Sequence, residues 1–350
     1  MVKGTIKEKY GIHIRQLSTY QRTYQCFQTP NSFFLIVPVS QFSETELTEL
    51  YYMSQYLQEQ TDPYVSIFIF TKEGELTFEY EGKTYALLKA APPYSNRALS
   101  IGAELAEFHR KGRGYPYEVK AAGRIGQWKD LWGKRIDQLE VFWQRKVQTP
   151  PHEPFDKKMI ESFPYYLGLS ENAIQYLVDT ELDDKPQAAD SGTICHQRLE
   201  RHTWSSESSI RIPADWVFDH ASRDLAEYMR HTFLHHRQDF HQQGFLFLQE
   251  YEKVTPLSSF SKRLLYSRLL FPLHYFEIVE SYYMSSESEK HYYEEQLDFI
   301  LNDCGRYEQF LNTAQEFMNM RAQKPFVPRV SWLGKGNLRR GENLTKIIRK

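Results

Sequence analysis

The chain has 350 residues, and its 43 lysines and arginines against 45 aspartates and glutamates give a formal net charge of −2. This near balance argues against nucleic acid or an anionic membrane surface as a partner, because such partners usually need a clear positive excess. The 41% hydrophobic content is ordinary for a globular protein, and no apolar run is long enough for a transmembrane helix. The three scattered cysteines make neither a disulfide framework nor a zinc motif, which indicates synthesis in a reducing cytosol.

The first ninety residues have the pattern of a small β-rich region. Short strands are predicted at 33–37, 66–70, 75–80 and 84–89, and tight turns are predicted to join the last three into an antiparallel meander. Between the first strand and this meander, Ser43 and Glu46 have the spacing of a capping box. They predict a helix that runs to about Glu59.

After Pro92 the pattern changes from strand to helix. Helical spacing is predicted at about 99–112, 128–146, 224–242, 258–284 and 287–320, with breaks at Pro272 and near Gly305. A hinge or loop is predicted at 149–154, and a polar stretch at 179–191 precedes an irregular region. The order predicts an α+β protein with an antiparallel-sheet N-lobe at 1–91, a large helical C-lobe at 92–333 and a basic tail at 334–350.

This order of lobes is typical of protein kinase-like two-lobe folds, so the sequence can be tested for the parts that phosphoryl transfer needs. No glycine lies between Gly11 and Gly74, which excludes a glycine-rich loop over nucleotide phosphates. No lysine lies between Lys9 and Lys72, so the strand lacks the usual phosphate-binding cation. Glu46 and Glu49 occupy the place of the helix glutamate but have no cation to meet on that strand.

Three segments of the second region carry a recognisable spacing: Gly192–Thr203, Ile210–Trp216 and Asp224–Ala226. This spacing resembles the catalytic core of the aminoglycoside phosphotransferase and choline kinase-like family. There the pattern is I-C-H-G-D, four residues, N, a strand ending in D-[FW], and D-L-A opening a helix. The resemblance places His196 at the motif histidine, Arg198 at the catalytic aspartate, Thr203 at the metal-binding asparagine, Asp215 at the second metal-binding aspartate and Asp224 at the structural aspartate.

Within that family the chain is similar to the spore coat-associated, CotS-type proteins of endospore-forming bacteria. The likeness extends to the aromatic segment Ser267–Glu277 and to the ending Val327–Leu333. It implies synthesis in the mother-cell cytoplasm, assembly into the spore coat, and other spore coat proteins as partners. The recruiting partner and the oligomeric state stay open.

The departures from the family pattern favour a pseudokinase. The guanidinium of Arg198 stays protonated in proteins, so it cannot accept the proton of a substrate hydroxyl. The hydroxyl of Thr203 is a weaker metal ligand than an amide or carboxylate oxygen. Asp215 is therefore the one metal-binding residue of the family pattern that is present at its expected position. The sequence therefore predicts no catalytic residue, metal or cofactor, and a structural or interaction role in the coat. The alternatives are an atypical small-molecule phosphotransferase and a protein that binds a ligand or peptide in a vestigial cleft.

Other features have less specific interpretations. A structural or solvent-exposed role is favoured over metal binding for the histidines at 231, 235, 236 and 241. A core cysteine is favoured over a Cys195–His196 dyad, and His196 is expected to be packed and hydrogen-bonded. We expect Asp224 to cap a helix and Asp215 to accept hydrogen bonds from loop amides.

Paired tyrosines and the basic tail are the candidate interaction surfaces. Tyrosine pairs occur at 51–52, 165–166, 282–283 and 292–293, and they fit amphipathic helix faces or interfaces. In the tail, six lysines and arginines against one glutamate give a charge of +5. This segment is either a solvated end or an electrostatic tether to an acidic partner surface.

Overall fold

The computed structural model describes residues 2–21, 23–92, 100–150, 153–199, 210–235, 240–319 and 327–333. The chain divides into two compact units, each built from two stretches of sequence. One unit comprises 1–125 and 189–256, and the other comprises 126–188 and 257–350. The first unit thus joins the predicted N-lobe to part of the predicted C-lobe. The boundaries at 91 and 333 stay predictions.

The first unit contains a six-stranded antiparallel sheet with the order β1-β2-β3-β6-β4, in which β5 also pairs with β6. Its strands are β1 (Ser18–Tyr20), β2 (Tyr24–Thr29), β3 (Ser32–Pro38), β4 (Ile67–Phe68), β5 (Thr77–Tyr80) and β6 (Lys83–Ala90). The predicted meander is wrong, because β4 and β5 do not follow one another in the sheet. Both pair with β6, β4 at Leu88–Lys89 and β5 at Lys83–Ala86.

Eleven helices are present among the described residues. They are α1 (Val2–Tyr10), α2 (Glu44–Glu59), α3 (Ile101–Arg113), α4 (Trp128–Val147), α5 (Pro154–Asp183), α6 (Ser222–His235), α7 (Phe240–Val254), α8 (Ser259–Leu270), α9 (Leu273–Met284), α10 (Glu287–Asn302) and α11 (Cys304–Asn319). The hydroxyl of Ser43 accepts a hydrogen bond from the Glu46 amide at 3.2 Å, so α2 begins at the predicted cap.

Two short strands at the centre of the first unit position the candidate site. β7 (Thr193–His196) pairs with β8 (Trp216–Asp219) in an antiparallel ladder. Helix α3 packs directly on β7 because Gly112 has no side chain: a Cβ there would lie 2.8 Å from the backbone nitrogen of Ile194. The hydroxyl of Thr193 donates to the His109 carbonyl at 2.8 Å, which holds α3 in register with the strand.

The second unit consists of α4, α5 and α8–α11. Helix α5 fills the interval between the predicted loop at 149–154 and the predicted polar stretch at 179–191, for which the sequence analysis gave no element, and it continues through Pro164 for 30 residues. Its buried residues recur at helical spacing, as at Phe155, Met159 and Phe163. The break at Pro272 is confirmed, since α8 ends at Leu270 and α9 begins at Leu273. Within the described part of the chain, no helix combines the length and apolar character needed to cross a membrane.

Candidate functional site

The carboxylate of Asp224 is the centre of a buried hydrogen-bond network. Asp224 lies in the first turn of α6 and is fully buried. It accepts the backbone N–H of His196 at 2.9 Å and lies 2.7 Å from His196 Nδ1. It also lies 3.1 Å from Nε2 of His109, which comes from α3. The predicted role of Asp224 as a helix cap is therefore wrong: its carboxylate joins α6 to β7 and α3.

The positions of the protons in this network follow from the acceptors. A carboxylate can only accept, so His109 donates from Nε2 to Asp224, and its Nδ1 accepts from the Tyr251 hydroxyl at 2.9 Å. Arg113 donates to the Tyr251 oxygen at 3.4 Å. Burial lowers the pKa of His109 to about 4, and the two histidines hold the pKa of Asp224 well below its usual range. His109 is thus neutral and Asp224 ionised at neutral pH.

Cys195 lies beside this network but is held as a protonated thiol. Its Sγ is fully buried and lies 3.6 Å from the Asp219 carbonyl oxygen. Burial raises the pKa of the Cys195 thiol well above its usual value. In the described residues, His109, Cys195 and Asp224 form the one trio whose ligand atoms lie within 4.8 Å of one another. A metal would need the thiolate and would displace the bonds of Asp224, so the donor set fits a packed core better than a metal centre.

Arg198, for which the sequence predicts the catalytic aspartate position, lines a cavity of about 430 Å³. Three arginines, Arg124, Arg198 and Arg223, line it against one glutamate, Glu46. Arg223 donates to the His196 carbonyl at 2.9 Å and to the Asp219 carboxylate at 2.8 Å. Arg124 donates to two backbone carbonyls and lies 3.7 Å from Glu46. Two of the three arginines that line the cavity thus lie close to a carboxylate, Arg223 to Asp219 and Arg124 to Glu46.

Glu49 has partners that the sequence did not reveal. Its carboxylate accepts three consecutive backbone amides, from Lys120 at 2.8 Å, Ala121 at 3.2 Å and Ala122 at 2.7 Å. The segment that contains these amides runs beside β8, where the Phe218 amide donates to the Ala122 carbonyl at 2.8 Å. Glu49, one of the two candidates for the helix glutamate, therefore fixes this loop on β8 through backbone amides.

Asp215 is half-buried at the end of a short 3-10 turn, next to the loop that carries Arg198. Its carbonyl accepts the Gln197 amide at 2.7 Å. Its carboxylate accepts the hydroxyl of Tyr24, from β2, at 2.8 Å. Tyr24 was not a sequence candidate, because nothing in the sequence relates it to a residue 191 positions away. Thr203 lies outside the described residues.

The structure brings His196 and Asp224 together and places Asp215 beside the loop of Arg198. The surroundings of His196 and Asp224 also include His109, Tyr251 and Arg223. The sequence analysis did not identify any of these three as site residues. Of the candidate metal-binding histidines, His231 and His235 stack with ring centroids 4.2 Å apart. His236 and the side chain of His241 lie outside the described residues.

Comparison with known proteins identifies the family. Residues 3–314 match the family described as "Spore coat putative kinase YutH". The chain is 95% identical over 339 residues to "Endospore coat-associated protein YutH" of Bacillus subtilis (strain 168), covering 97% of this chain and 100% of the relative.

Solved structures support the fold. An aminoglycoside phosphotransferase from Alicyclobacillus acidocaldarius superposes with a TM-score of 0.66 at 14% identity, covering 91% of this chain and 97% of that chain. The spectinomycin phosphotransferase APH(9)-Ia, in complex with ADP and spectinomycin, gives 0.58 at 11% identity, with the same coverage. These likenesses confirm the α+β, protein kinase-like fold predicted from the sequence. The resemblance to spore coat-associated proteins is confirmed as well, and the chain belongs to the spore coat YutH family.

Proposed function

We propose that the protein is a catalytically degenerate, kinase-like component of the bacterial endospore coat. It is made in the mother-cell cytoplasm, assembles into the coat and acts through contacts with other coat proteins. The coat assignment is supported by the 95% identical relative, whose name describes an endospore coat-associated protein. It does not depend on the state of the catalytic positions, so the two parts of the proposal can be tested separately.

The proposed loss of catalysis is supported by the arginine-lined cavity at Arg198. Arginine replaces the base, and Arg124 and Arg223 line the same cavity. None of the three guanidinium groups can take a proton from a substrate hydroxyl or serve as a ligand for Mg²⁺. Of the Asp215 carboxylate, one oxygen accepts a hydrogen bond from the Tyr24 hydroxyl. The Asp224 network, whose hydrogen-bonding partners are protein groups, accounts for retention of the fold.

A nucleotide-binding assay tests this part of the proposal. The purified protein is expected to show no saturable thermal shift with ATP and Mg²⁺, because the phosphate-binding lysine and loop are absent. The same assay on Asp215→Asn and on the control Asp298→Asn, which changes a half-exposed surface carboxylate, separates specific from general effects. A saturable shift in the wild type that disappears in Asp215→Asn and persists in Asp298→Asn would overturn the proposal.

The second candidate is an atypical small-molecule phosphotransferase. One observation favours it: Asp215 is retained, half-exposed, beside the loop of the catalytic motif. Incubation with labelled ATP and a mixture of hydroxyl compounds discriminates the two functions. Turnover that is lost in Asp215→Asn supports the phosphotransferase, and its absence supports the degenerate protein.

Localisation tests the coat role directly. A fluorescent fusion expressed during sporulation is expected to form a ring around the forespore. Removal of residues 334–350 is expected to weaken that recruitment if the basic tail is a tether. A diffuse mother-cell signal from the full-length fusion would contradict the coat assignment.

A further inference from the structure

A second cavity, of about 650 Å³, lies between one face of α2 and the segment that follows α3. We call it the acidic tyrosine pocket. It is defined by Glu44, Glu49, Tyr52, Tyr115, Tyr117 and Glu118. The catalytic-motif residues Arg198 and Asp215 do not line it, and the function proposed above does not use it.

The tyrosines present ring surfaces in different orientations. Tyr52 and Tyr117 lie with centroids 6.1 Å apart and ring planes at 45°, and Tyr115 meets Tyr117 edge-on at 5.5 Å. Tyr52 is 50% exposed and Tyr117 is 63% exposed, so both rings are accessible to a ligand. Tilted, accessible aromatic rings around one space attract cations through their negatively polarised faces.

The charge of the pocket also favours a cationic ligand. Three glutamates line it, and no lysine or arginine does so among the described residues. Glu49 is fixed by backbone amides, so its charge is held in place. Burial, aided by the charge of Glu49, raises the pKa of Tyr115 to about 12. Glu118 pairs with Lys120 at 3.2 Å, but both side chains are more than 70% exposed, and such pairs exchange readily with other cations.

We propose that the acidic tyrosine pocket binds a lysine or arginine side chain on a segment of a partner protein. The carboxylates supply charge complementarity, and the rings of Tyr52 and Tyr117 cover the aliphatic and cationic parts of the side chain. An anionic ligand such as a nucleotide phosphate is disfavoured, because no lysine or arginine lines the pocket in the described part of the chain. The inference deepens the interaction role proposed above, and it rests on that role only for the partner being a coat protein.

Calorimetric titration of the full-length protein with a synthetic peptide of lysine, glycine and serine tests the pocket. We expect saturable binding that weakens as salt is added, since exposed charges are screened. Tyr117→Ala is expected to weaken binding about tenfold, the size of one cation–π contact, whereas Tyr117→Phe keeps the ring and the affinity. Phe299→Ala, which removes a 41% exposed aromatic ring on α10, is the control and should bind like the wild type.

The glutamates are tested in the same assay. Glu118→Gln is expected to weaken binding severalfold, and Glu171→Gln, at an exposed position on α5, should not. Because Tyr117 and Glu118 are exposed, these variants are expected to fold, which circular dichroism checks. Absence of binding, equal binding of a peptide with acetylated lysines, or unchanged affinity in Tyr117→Ala would each overturn the inference. Forespore localisation tests the coat role alone, so a failed titration with intact localisation rejects the pocket and spares the proposed function.

Discussion

Replacement of Asp224 by alanine should destabilise the first unit strongly. The carboxylate accepts three buried donors: the backbone N–H of His196, the His196 ring and the His109 ring. A buried donor left without an acceptor costs about 1–3 kcal/mol, and breaking a buried charged network costs about 3–5 kcal/mol. We therefore expect Asp224→Ala to lower the free energy of unfolding by about 3–5 kcal/mol, the upper part of the range for single substitutions.

Urea denaturation followed by circular dichroism measures this loss, and hydrogen exchange of β7 assigns it to the first unit. Asp298→Ala is the matched control, since it removes a half-exposed carboxylate that pairs with Lys158 on the surface. It should cost less than about 1 kcal/mol. A loss below about 1 kcal/mol for Asp224→Ala, or equal losses in the two variants, would refute the view that the network holds the strands and helices together.

Three further substitutions test contacts within the first unit. Because the pKa of His109 is about 4 in the folded protein and roughly 6.5 in an unfolded chain, its contribution to stability is complete above pH ~6.5. That contribution is lost as the pH falls toward 4, and His109→Gln should flatten the pH profile of the urea midpoint. Gly112→Ala should cost about 1–3 kcal/mol by overpacking α3 on β7, whereas Gly168→Ala, with open space on α5, should be neutral or stabilising. Glu49→Gln should speed amide exchange at 120–122 about tenfold, because charge-assisted bonds are lost; unchanged exchange would contradict the role of Glu49.

The sequence predicted those parts of the site that depend on spacing along the chain. His196 and Asp224 belong to one motif, and the structure joins them at 2.7 Å. Local signals also located the start of α2 at Ser43 and the break at Pro272. Such features depend on neighbouring residues, so a single sequence carries them.

The missed features depend on contacts between distant residues. His109 meets Asp224 from 115 positions away, and no local pattern distinguishes it from any other histidine on a helix. The partners of Glu49 are backbone amides, which every residue except proline supplies. Helix α5 was missed because Pro164 interrupts its pattern, although buried residues on either side keep it helical. The meander was wrong because strand pairing, unlike helix formation, is decided by the whole sheet.

The interleaved path of the chain constrains how the protein can be synthesised. The first unit needs residues 1–125 and 189–256, so residues 126–188 leave the ribosome before its second stretch exists. Tyr251 is the last member of the Asp224 network to emerge. Until then Asp224 and His109 lack their final arrangement, and the nascent sheet and α3 have no completed core to pack against. The first unit therefore cannot finish folding until roughly three-quarters of the chain has been synthesised.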